Sequence, residues 1–565
     1  MTLTMIGVIA NPADHAVVSE FFELFKTPWE FYQSDRCYEV LLCSTNSLFD
    51  QGTSKLVLLY SGEKLPFDAE EKVGVASRRT NRMLSYNGAQ IPIYGDSITF
   101  LEKGRGVLVD EESKQEAMHQ CQSQGREIAR IGYDVFHEVR TLLTAGQPAA
   151  NASIPTLDLH IAILRDLIVA SGVSLIEIPP VPEGYKFIAC LTHDVDHPSI
   201  RQHKFDRTMF GFLYRAVVGS LVKVLCGRMS VRSLFKNWTA AFKLPFVYMG
   251  FAKDFWRDFD DRYRELEKGL HSTFFVIPFK DNPGNTSNGV APGFRAARYG
   301  AGDIADAIAK ITAAGSEVGL HGIDAWLDSS KGRDELEEIR SLTQVSEIGV
   351  RMHWLYLNEQ SFAVLEKAGA DYDSTVGYNQ TVGYRAGTTQ VYKPLQAARL
   401  LELPLHVMDT AMFYPNYLGL SSREATTVLG GLVDNAAQFG GCLTTNWHDR
   451  SLAPERLWDA CYRDLLQELK NRDAWFATAG QATSWFRKRR AVVFETDSAE
   501  PDARVLADHA DNLPGLQLRI HNRRESPGNS HRTEAYVDMA FSETVFAECA
   551  SRSTIRQQQF SPQPI

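Results

Sequence analysis

The sequence predicts an α/β protein whose central part is a distorted (β/α) barrel, with an open doubly wound sheet as the second choice. Two observations favour this fold class. From residue 185 to about residue 490, apolar runs typical of buried strands alternate with stretches of helical spacing. Strands and helices that alternate in this way form parallel sheets with crossover helices. The regions before and after this part lack the same alternation, which indicates additional structure at both ends.

The size and charge of the chain limit the class of protein. Its 565 residues exceed one ordinary domain, and 44% hydrophobic against 23% charged residues is typical of a globular protein with a large core. The formal net charge is -10. Because nucleic acid phosphates bind basic surfaces, this charge argues against nucleic acid as a partner.

The cysteines and the first residues bear on the compartment. The eight cysteines are scattered without a CxxC pair, which argues against a cysteine-rich zinc site and against a disulfide scaffold. The start of the chain lacks the basic and long apolar regions of a secretory signal. No stretch has the roughly 18 uncharged apolar residues that a membrane span requires. We therefore expect a cytoplasmic protein.

Residues 1–180 are predicted to form an α/β accessory domain. Apolar runs at 57–62 and 89–95 indicate strands, and 157–171 has the spacing of a buried helix. No catalytic motif stands out in this region. Three prolines and a glycine follow between residues 179 and 184, and such a cluster marks the predicted domain boundary.

Residues 181–490 are predicted to form the barrel domain. Strands are expected at 186–192, 271–277, 317–322, 350–357, 400–405 and 442–448. Helices are expected at 253–269, 303–314, 333–347, 359–368, 421–438 and 454–470. Helices between successive strands provide the crossover connections that a parallel sheet requires.

Residues 491–565 are more polar and are predicted to form a small β unit followed by a disordered tail. The runs at 516–522 and 535–541 have strand character and are expected to pair. Residues 555–565 have the composition of a disordered chain end.

The densest motif is the run LTHDVDHP at 191–198, directly after an apolar strand. In parallel α/β folds the carboxyl ends of the strands carry the active-site loops. Because side chains alternate along an extended chain, Asp194 and Asp196 can face the same side. Two such carboxylates can divide the work, one binding a cation and the other accepting a proton. The alternative is an Asx-turn or a cap with solvated histidines.

A second motif ends the strand predicted at 317–322, where His321 follows an apolar run. Together with the first motif and the run STFFVIP at 272–278, it resembles three successive blocks of the polysaccharide deacetylase (NodB-homology, carbohydrate esterase family 4-like) family. Later blocks continue in the family's order, at Arg351, at 366–387 and in the run CLTTNWHD at 442–449. The resemblance covers about residues 185–490 and implies a distorted barrel of the NodB-homology type.

The resemblance implies a role for each matching residue. Asp194 is the expected general base, while Asp196 and His321 are expected metal ligands. Arg351 is expected to hold Asp194 through a charge-assisted hydrogen bond. His448 is the expected general acid, which protonates the departing amine. The implied cofactor is a divalent metal, with zinc as the first choice, which lowers the pKa of water and polarises the acyl carbonyl.

The sequence departs from the family pattern at the second histidine of the metal motif. The family places two histidines four residues apart, and here Ala325 stands four residues after His321. Catalytic zinc takes three protein ligands and keeps an open position, so the third ligand must come from elsewhere. His353 is the candidate, because strand alternation puts it on the side of the arginine two residues before it. His197 and Asp324 are the alternatives. The THDVDH block with a later R-x-H is similar to one subgroup of the family.

Three further residues are candidates for binding the substrate. Asp373 either contacts a sugar or closes a turn after a helix. Arg385 either clamps an anionic group or makes a structural pair. Trp326 lies near the motif histidine and either stacks on a sugar face or packs in the core. His406 and Asp409 follow a predicted strand at the same end and receive no assigned role.

The segment 201–236 is strongly basic in an acidic protein. One acid, Asp206, stands against eight basic residues: Arg201, Lys204, Arg207, Arg215, Lys223, Arg228, Arg232 and Lys236. Apolar residues within it recur at helical spacing. Such a helix can make peripheral contact with an anionic membrane or a lipid-linked glycan. The alternative, slightly favoured here, is an amphipathic helix that packs on the barrel with its charges solvated.

Taken together, these patterns and the resemblance predict a metal-dependent hydrolase. Its expected reaction is removal of an N-acetyl group, or less readily an O-acetyl group, from a sugar or glycan intermediate. A hydrolase of a non-sugar carbon–nitrogen bond on the same fold is one alternative. A non-catalytic glycan-binding or scaffold protein that has lost the metal is the other, and Ala325 is the feature that supports it.

Overall fold

The structure, a computed structural model, describes residues 4–45, 54–102, 106–123, 125–227, 229–495, 502–505, 512–521, 536–542 and 546. The chain folds into two compact units. Unit 1 comprises residues 1–184, 386–388 and 484–565, and unit 2 comprises residues 185–385 and 389–483. The break between residues 184 and 185 falls at the predicted proline-rich boundary.

Unit 2 is built around one parallel sheet that curls into a barrel. Its strands follow each other in the order Leu401–Glu402, Tyr372–Asp373, Val350–Met352, Glu317–Gly322, Thr273–Val276, Phe187–Val195, Cys442–Asn446 and Val407–Met408. The strand Ala474–Ala477 also pairs with the first half of Phe187–Val195. Every pairing in this sheet is parallel.

The two edges of this sheet meet through a short stretch of chain. The edge strands Leu401–Glu402 and Val407–Met408 are separated by four residues, which span at most about 18 Å. Within that stretch, the Leu403 N–H donates to the Asp373 carbonyl at one edge, and the His406 N–H donates to the Thr444 carbonyl at the other. The sheet therefore closes through an irregular segment, which confirms the predicted distorted (β/α) barrel.

Helices connect the strands of unit 2, as the alternation predicts. They are Arg207–Leu225, Val231–Tyr248, Phe259–Leu266, Ala305–Ala313, Ser329–Thr343, Ser361–Ala368, Asp409–Phe413, Ser422–Phe439 and Asp459–Asn471. The helix Ala479–Arg490 begins in unit 2 and ends in unit 1. The central strand Phe187–Val195 is buried at all nine positions, as expected for a strand covered on both faces.

Local hydrogen bonds explain where several elements differ from the sequence prediction. The helix expected at 333–347 begins at Ser329, because Asp328 caps the N–H groups of Ser330 and Lys331. The strand expected at 350–357 ends at Met352. Trp354 and Leu355 adopt left-handed φ values of 66° and 53°, which a strand cannot contain, so a turn follows instead.

Unit 1 contains a second mainly parallel sheet. Its strand order is Trp29–Phe31, Ile6–Ile9, Val40–Cys43, Leu56–Tyr60, Arg126–Ile131 and Met118–Ser123, and only the last strand is antiparallel. A three-stranded antiparallel sheet consists of Ala89–Phe100, Val75–Tyr86 and Leu108–Asp110. The helices are His15–Phe25, Pro66–Glu70, Val135–Thr144 and Thr156–Ala170. An α/β region was expected from the sequence, and this one is more strand-rich than the pattern indicates.

The described part of the C-terminal region belongs to unit 1 and does not form the separate unit expected from 491–565. The strand Gln517–His521 pairs with Tyr536–Ala540, as predicted, and on its other side with Leu175–Glu177. Glu177 accepts a hydrogen bond from His521 across this pairing. The hairpin Val492–Glu495 and Asp502–Val505 precedes it. Residues 555–565 lie outside the described residues.

One helix in unit 2 differs from the expectation about membrane spans. The helix Arg207–Leu225 is long and apolar enough to cross a membrane by length and composition, and only 22% of its most apolar stretch is buried. The sequence criterion missed it because Arg207, Arg215 and Lys223 interrupt the apolar run.

Candidate metal and catalytic site

The predicted site residues lie at the carboxyl ends of neighbouring barrel strands. The register pairs Thr192 with Asn446 on one side of the central strand, and Asp194 with Phe275 on the other. Two strands further along, His321 pairs with Arg351. Because all these strands are parallel, the residues just beyond each pair emerge at the same end of the barrel.

Three side chains form a cluster suited to a cation. The Oδ1 atom of Asp196 lies 3.4 Å from Nε2 of His321 and 3.6 Å from Nε2 of His353. The three potential ligand atoms lie within 4.8 Å of one another. One carboxylate and two imidazoles are a ligand set that catalytic zinc uses, with the fourth position left open. The structure thus brings together the two ligands that the resemblance implies and the third that the sequence proposes.

The hydrogen bonds of the cluster fit a bound cation. The Nδ1–H of His321 donates to the Arg351 carbonyl over 2.9 Å, which leaves the Nε2 lone pair facing Asp196. The Oδ1 atom of Asp196 is buried and has no hydrogen-bond donor among the described residues. Since a buried carboxylate oxygen without a partner costs free energy, this atom fits a cation ligand.

The electrostatics favour the metal-binding forms of Asp196 and His353. Burial opposes ionisation of Asp196, but His321, His353 and His448 together hold its pKa well below the usual range. Burial also lowers the pKa of the His353 imidazole well below its usual value, despite the opposing effect of Asp196. The carboxylate is therefore ionised and His353 is neutral, as ligands must be.

A buried arginine holds the turn that carries His353. Arg295 donates from Nη2 to the carbonyl of His353 over 2.8 Å and to that of Ile323 over 3.2 Å. Its guanidinium lies 4.4 Å from the centre of the Tyr356 ring. Arg295 thereby links the chain after His321 to the turn at residue 353. Nothing in the sequence singled out this residue, because it lies in an irregular segment between strands.

Asp194 is held by two buried neighbours. Nη1 of Arg351 donates to its Oδ1 over 3.0 Å, and Nδ2 of Asn446 donates to its Oδ2 over 2.7 Å. Its Oδ2 also lies 3.8 Å from Nε2 of His321. Asp194 is 3% exposed and Arg351 is 0% exposed, so the pair is shielded from water.

Arg351 is itself fixed on every side. Its Nε donates to the Ser374 carbonyl, its Nη2 to the Ser374 hydroxyl, and its Nη1 to the Thr192 hydroxyl at 2.5 Å. The guanidinium lies 4.4 Å from the centre of the Phe275 ring. An arginine fixed in this way orients the Asp194 carboxylate, as the resemblance implies.

His448 forms a pair with a carboxylate that the sequence left without a role. Its Nδ1 lies 2.6 Å from Oδ1 of Asp409, and its backbone N–H donates to Oδ2 of the same residue. Its Nε2 lies 3.8 Å from Oδ2 of Asp196. Burial opposes protonation, but Asp409, and next Asp196, outweigh it and raise the pKa of His448 to about 10. His448 can therefore hold a proton beside the cluster.

Two residues important to the site were missed or left unassigned by sequence reasoning. Asn446 contacts Asp194 through a strand pairing between chain segments about 250 residues apart. Asp409 contacts His448 across the closing edge of the barrel. The position of Asp409 directly after an apolar run was the only sequence signal for it.

The alternative metal ligands do not reach the cluster. The carboxylate of Asp324 accepts hydrogen bonds from Asn285 and Lys331. The Nδ1 atom of His197 lies 3.1 Å from Nε2 of His203. Ala325 is fully buried. The structure therefore corrects these two alternatives in favour of His353.

Two of the three substrate-binding candidates occupy structural positions. Asp373 has no exposed surface and accepts from the Thr375 hydroxyl, and burial raises its pKa to about 6. A carboxyl without exposed surface does not contact a substrate, so this prediction is corrected. Trp326 is 3% exposed and packs edge-to-face on a neighbouring tyrosine, which corrects the stacking role in the same way. Arg385 donates to the Gly377 carbonyl, and its role towards an anionic group stays a prediction.

Comparisons with known proteins place the chain near one group of solved structures. No family model matches the chain, and no curated protein matches it. Agd3, a novel carbohydrate deacetylase, is 9% identical with a TM-score of 0.36, over 92% of this chain and 91% of that one. A probable polysaccharide deacetylase from Pseudomonas aeruginosa PAO1 is 13% identical with a TM-score of 0.32, over 55% of this chain and 94% of that one. PuuE allantoinase is 14% identical with a TM-score of 0.32, over 54% of this chain and 91% of that one. The motif blocks resemble the family to which the names of the first two refer. Because all three TM-scores are below 0.5, the function is argued from the site geometry.

Proposed function

We propose that this chain is a metal-dependent hydrolase that removes an acyl group, first of all an N-acetyl group, from an amino sugar or glycan intermediate. One observation carries the proposal, which is the arrangement of the side chains around the possible cation site formed by Asp196, His321 and His353. The fixed carboxylate of Asp194 lies on one side of this site, and His448, held by a carboxylate of its own, lies next to it. A cation site, a base and an acid are the three parts that metal-assisted hydrolysis of an amide uses.

The cation would be held by Asp196, His321 and His353. When bound there, a divalent metal supplies Lewis acidity, which favours attack on an acyl carbonyl. Two neutral nitrogen ligands and one carboxylate suit zinc, and we propose zinc as the metal.

The base would be Asp194. Arg351 and Asn446 each occupy one of its oxygen atoms and keep the carboxylate in one orientation. Such preorganisation lets Asp194 accept the proton of an attacking water without first rearranging.

The acid would be His448. Asp409 holds its Nδ1–H, so Nε2 points towards the cluster and can donate a proton there. An amine leaves only when its nitrogen is protonated, and transfer of that proton from a positioned acid contributes about 10²- to 10⁴-fold in rate. The nitrogen of an amide needs this acid more than an ester oxygen does, which favours the N-acetyl substrate.

The substrate class comes from the resemblance of the motif blocks and stays part of the proposal. The scaffold alternative predicts that the cluster binds no cation. It leaves the orphaned Oδ1 of Asp196 unexplained.

The metal step is tested by titrating zinc into chelator-treated full-length protein by calorimetry. We expect about one cation per chain, and a loss of affinity of at least about 100-fold in His353→Ala and in Asp196→Ala. His271→Ala is the matched control, because His271 is an exposed histidine of the same unit. Equal affinity in wild type and His353→Ala would refute the proposed ligand set.

The chemical step is tested by release of acetate from N-acetylated glucosamine oligomers by the zinc-loaded protein. We expect Asp194→Asn and His448→Ala to bind zinc like wild type within about tenfold and to lose about 10²- to 10⁴-fold in kcat. Cation binding without acetate release from N- or O-acetylated sugars, in wild type, would refute the carbohydrate deacetylase assignment while leaving the metal site intact.

A further inference from the structure

Exposed hydrophobic side chains are concentrated in one segment of unit 2. Of the 27 large hydrophobic side chains exposed in the described part of the chain, 15 lie between Phe205 and Phe251. This segment forms two consecutive helices, Arg207–Leu225 and Val231–Tyr248, which we call the outer hairpin. Exposed apolar residues scattered singly are normal, but a concentration of this size marks an interaction surface.

The first helix of the outer hairpin has two apolar stripes. Met209, Phe212 and Ala216 are buried, and they belong to a core cluster that also contains Trp256 and Ala453 of the barrel. On other faces of the helix, an exposed stripe recurs at helical spacing: Phe210, Tyr214, Val217, Leu221 and Leu225. A soluble amphipathic helix needs only the first stripe, so the second requires another explanation.

The second helix repeats this arrangement. Leu244 and Val247 are buried in the same core cluster. The exposed stripe consists of Val231, Phe235, Trp238, Phe242 and Phe246, and two of these phenylalanines are 61% and 75% exposed. The Nε1 of Trp238 donates to the Val217 carbonyl and ties the two helices together. The exposed stripes of both helices therefore belong to one hairpin.

The charge of the outer hairpin indicates what covers it. Residues 207–253 contain eight lysines or arginines and no aspartate or glutamate, although the whole chain has a net charge of -10. Arg232, Lys236 and Lys243 are exposed beside the apolar stripe. Exposed aromatic and aliphatic side chains flanked by cations are typical of helices that lie in the interface of an anionic bilayer.

We propose that the outer hairpin docks on the surface of an anionic lipid bilayer. The helices lie on the membrane and do not cross it, because their inner stripes are packed against Trp256 and the barrel and would have to leave that core to face lipid. The buried apolar side chains of the two helices make the packing contact with the barrel that the sequence predicts. The exposed apolar side chains would contact the membrane.

Docking would bring the site close to the membrane surface. The guanidinium of Arg207, at the start of the hairpin, lies 5.9 Å from the centre of the Phe294 ring. Phe294 contacts Trp354 with ring centres 5.5 Å apart, and Trp354 directly follows the metal-ligand candidate His353. If the proposed function holds, this arrangement favours a substrate at the membrane surface, such as a lipid-linked glycan.

The docking proposal is tested by flotation of the full-length chain with vesicles. We expect binding to phosphatidylcholine vesicles that contain phosphatidylglycerol, at least tenfold weaker binding to pure phosphatidylcholine vesicles, and release at high salt. The double variant Phe235→Glu, Phe242→Glu should lose at least about tenfold in binding. Leu101→Glu is the matched control, because Leu101 is 67% exposed but lies in unit 1.

Further measurements keep the docking test decisive. The circular dichroism and melting temperature of the double variant should match wild type, because both phenylalanines are exposed. No flotation of wild type with anionic vesicles would refute the proposal. A lipid-free dimer that dissociates in the double variant, with no vesicle binding, would assign the surface to a second copy of the chain instead. Neither outcome bears on metal binding or acetate release, so the proposed function is judged separately.

A second, independent feature is a cluster of arginines beside the candidate acid, none of which forms a salt bridge with an acid among the described residues. Arg450 is 8% exposed and Arg456 is 4% exposed. Nε and Nη1 of Arg450, Nε of Arg456 and Nε of Arg215 are all buried with no hydrogen-bond acceptor among the described residues. We call these three residues the arginine cluster.

The side-chain hydrogen bonds that the arginine cluster does make go to hydroxyl groups. Nη2 of Arg456 donates to the Tyr414 hydroxyl over 2.5 Å, and Nη1 to the Ser451 hydroxyl over 3.5 Å. Arg450 lies 4.7 Å from the centre of the Trp256 ring. Burial, and next the charges of Arg456 and Arg450, lower the pKa of Arg215 to about 10. Burial opposes the charge of Arg456 too, but Tyr414 and the acids Asp409, Glu455 and Asp449 outweigh it and raise the pKa of Arg456. These acids offset part of the charge, yet buried N–H groups without an acceptor stay costly unless a ligand accepts from them.

The geometry points to an oxyanion subsite in the arginine cluster, which takes a phosphate or carboxylate group of the substrate. Arginine binds both groups through its planar set of N–H donors. Ser451, which Arg456 contacts, also donates to Asp409, the partner of His448. The subsite is therefore connected to the proposed acid, and its assignment to the substrate rests on the proposed function.

The subsite is tested by titrating inorganic diphosphate, and separately acetate, into the full-length Asp196→Asn variant by calorimetry. That background prevents the anion from being held by a cation at the metal cluster. We expect Arg450→Met and Arg456→Met to weaken diphosphate binding by at least about tenfold, and the exposed control Arg472→Met to leave it unchanged. Stronger binding of diphosphate than of acetate assigns a phosphate group, and the reverse assigns a carboxylate.

Stability separates a ligand site from a structural role. Without an anion, Arg450→Met should keep or raise the melting temperature, because it removes a buried guanidinium whose Nε and Nη1 have no hydrogen-bond acceptor among the described residues. A structural arginine would lower the melting temperature when replaced. No binding of either anion, or a clear destabilisation by Arg450→Met, would refute the subsite. The zinc titration is unaffected by either result.

Discussion

The pair formed by Arg351 and Asp194 allows a quantitative test of how the site is held. Replacing Arg351 by methionine keeps much of the side-chain volume and removes four hydrogen bonds, one to Asp194, two to Ser374 and one to Thr192. Asp194 then remains buried with a charge that Asn446 contacts and that Nε2 of His321 approaches to 3.8 Å. Breaking one partner of a buried ion pair costs about 3–5 kcal/mol of unfolding free energy, and we expect a loss in this range.

The matching double variant decides between charge and packing. In Arg351→Met, Asp194→Asn, the neutral amide no longer leaves an unpaired charge, so about 1.5–3 kcal/mol of the loss should be recovered. Urea unfolding followed by tryptophan fluorescence reports mainly on unit 2, since seven of the nine tryptophans lie there. Arg472→Met is the exposed control and should change stability by less than about 0.5 kcal/mol.

Two results would contradict this reasoning. A loss of less than about 1 kcal/mol in Arg351→Met would mean that Asp194 is not charged or not shielded in the folded protein. A double variant no more stable than the single one would mean that packing, and not the charge, accounts for the loss.

Three further predictions concern other parts of unit 2. Gly349→Ala should lower the free energy of unfolding in urea by at least about 3 kcal/mol, because the added Cβ would lie 1.9 Å from Cζ of Tyr372. The control Gly430→Ala lies in a helix with open space around it and should raise the free energy of unfolding by up to about 1 kcal/mol. Asp409→Asn should reduce kcat at least about 100-fold, because it releases the His448 ring, and should change zinc affinity by less than tenfold. Unchanged kcat in the acetate assay would contradict the role of His448 as the acid. Chelation should lower the melting temperature of unit 2, and added zinc should restore it in wild type but not in His353→Ala.

The sequence was sufficient to place the main site residues because each follows an apolar strand in the order of the family blocks. Asp194, Asp196, His321, Arg351 and His448 all lie at one end of the barrel in the structure. The reason lies in parallel topology, in which every strand that runs the same way ends at the same edge. Residue position along the chain therefore carries the information that defines this site.

The contacts between these residues were less accessible from the sequence. Asn446 reaches Asp194 because the strand Cys442–Asn446 lies next to Phe187–Val195, although the two are far apart in the chain. Strand order depends on which apolar faces pack together, and a linear pattern does not contain it. The edge strands Leu401–Glu402 and Val407–Met408 are two residues long, too short for any periodicity, and so the way the barrel closes was also hidden.

His353 was proposed as a ligand because of its expected place on a strand, but the structure puts it in a turn. Strand alternation was expected to place it beside Arg351, but the strand ends at Met352 and His353 begins a turn. Arg351 reaches Asp194, while the turn directs His353 to Asp196. The spacing from Arg351 thus singled out His353 in the sequence. The left-handed backbone at Trp354, which the sequence does not predict, sets the direction of the His353 side chain.

The packing around residue 325 explains why this chain has an alanine where the family pattern has its second histidine. A Cβ built on Gly332, in the helix Ser329–Thr343, would lie 3.2 Å from Cβ of Ala325, so this helix packs directly against residue 325 and leaves no room for an imidazole. The third candidate ligand, His353, lies instead in the turn after the neighbouring strand. Restoring the family pattern in Ala325→His, His353→Ala should therefore leave zinc affinity at least about tenfold below wild type. Wild-type affinity in that double variant, measured by calorimetry, would show that the helix yields and that the family's second histidine position is still available.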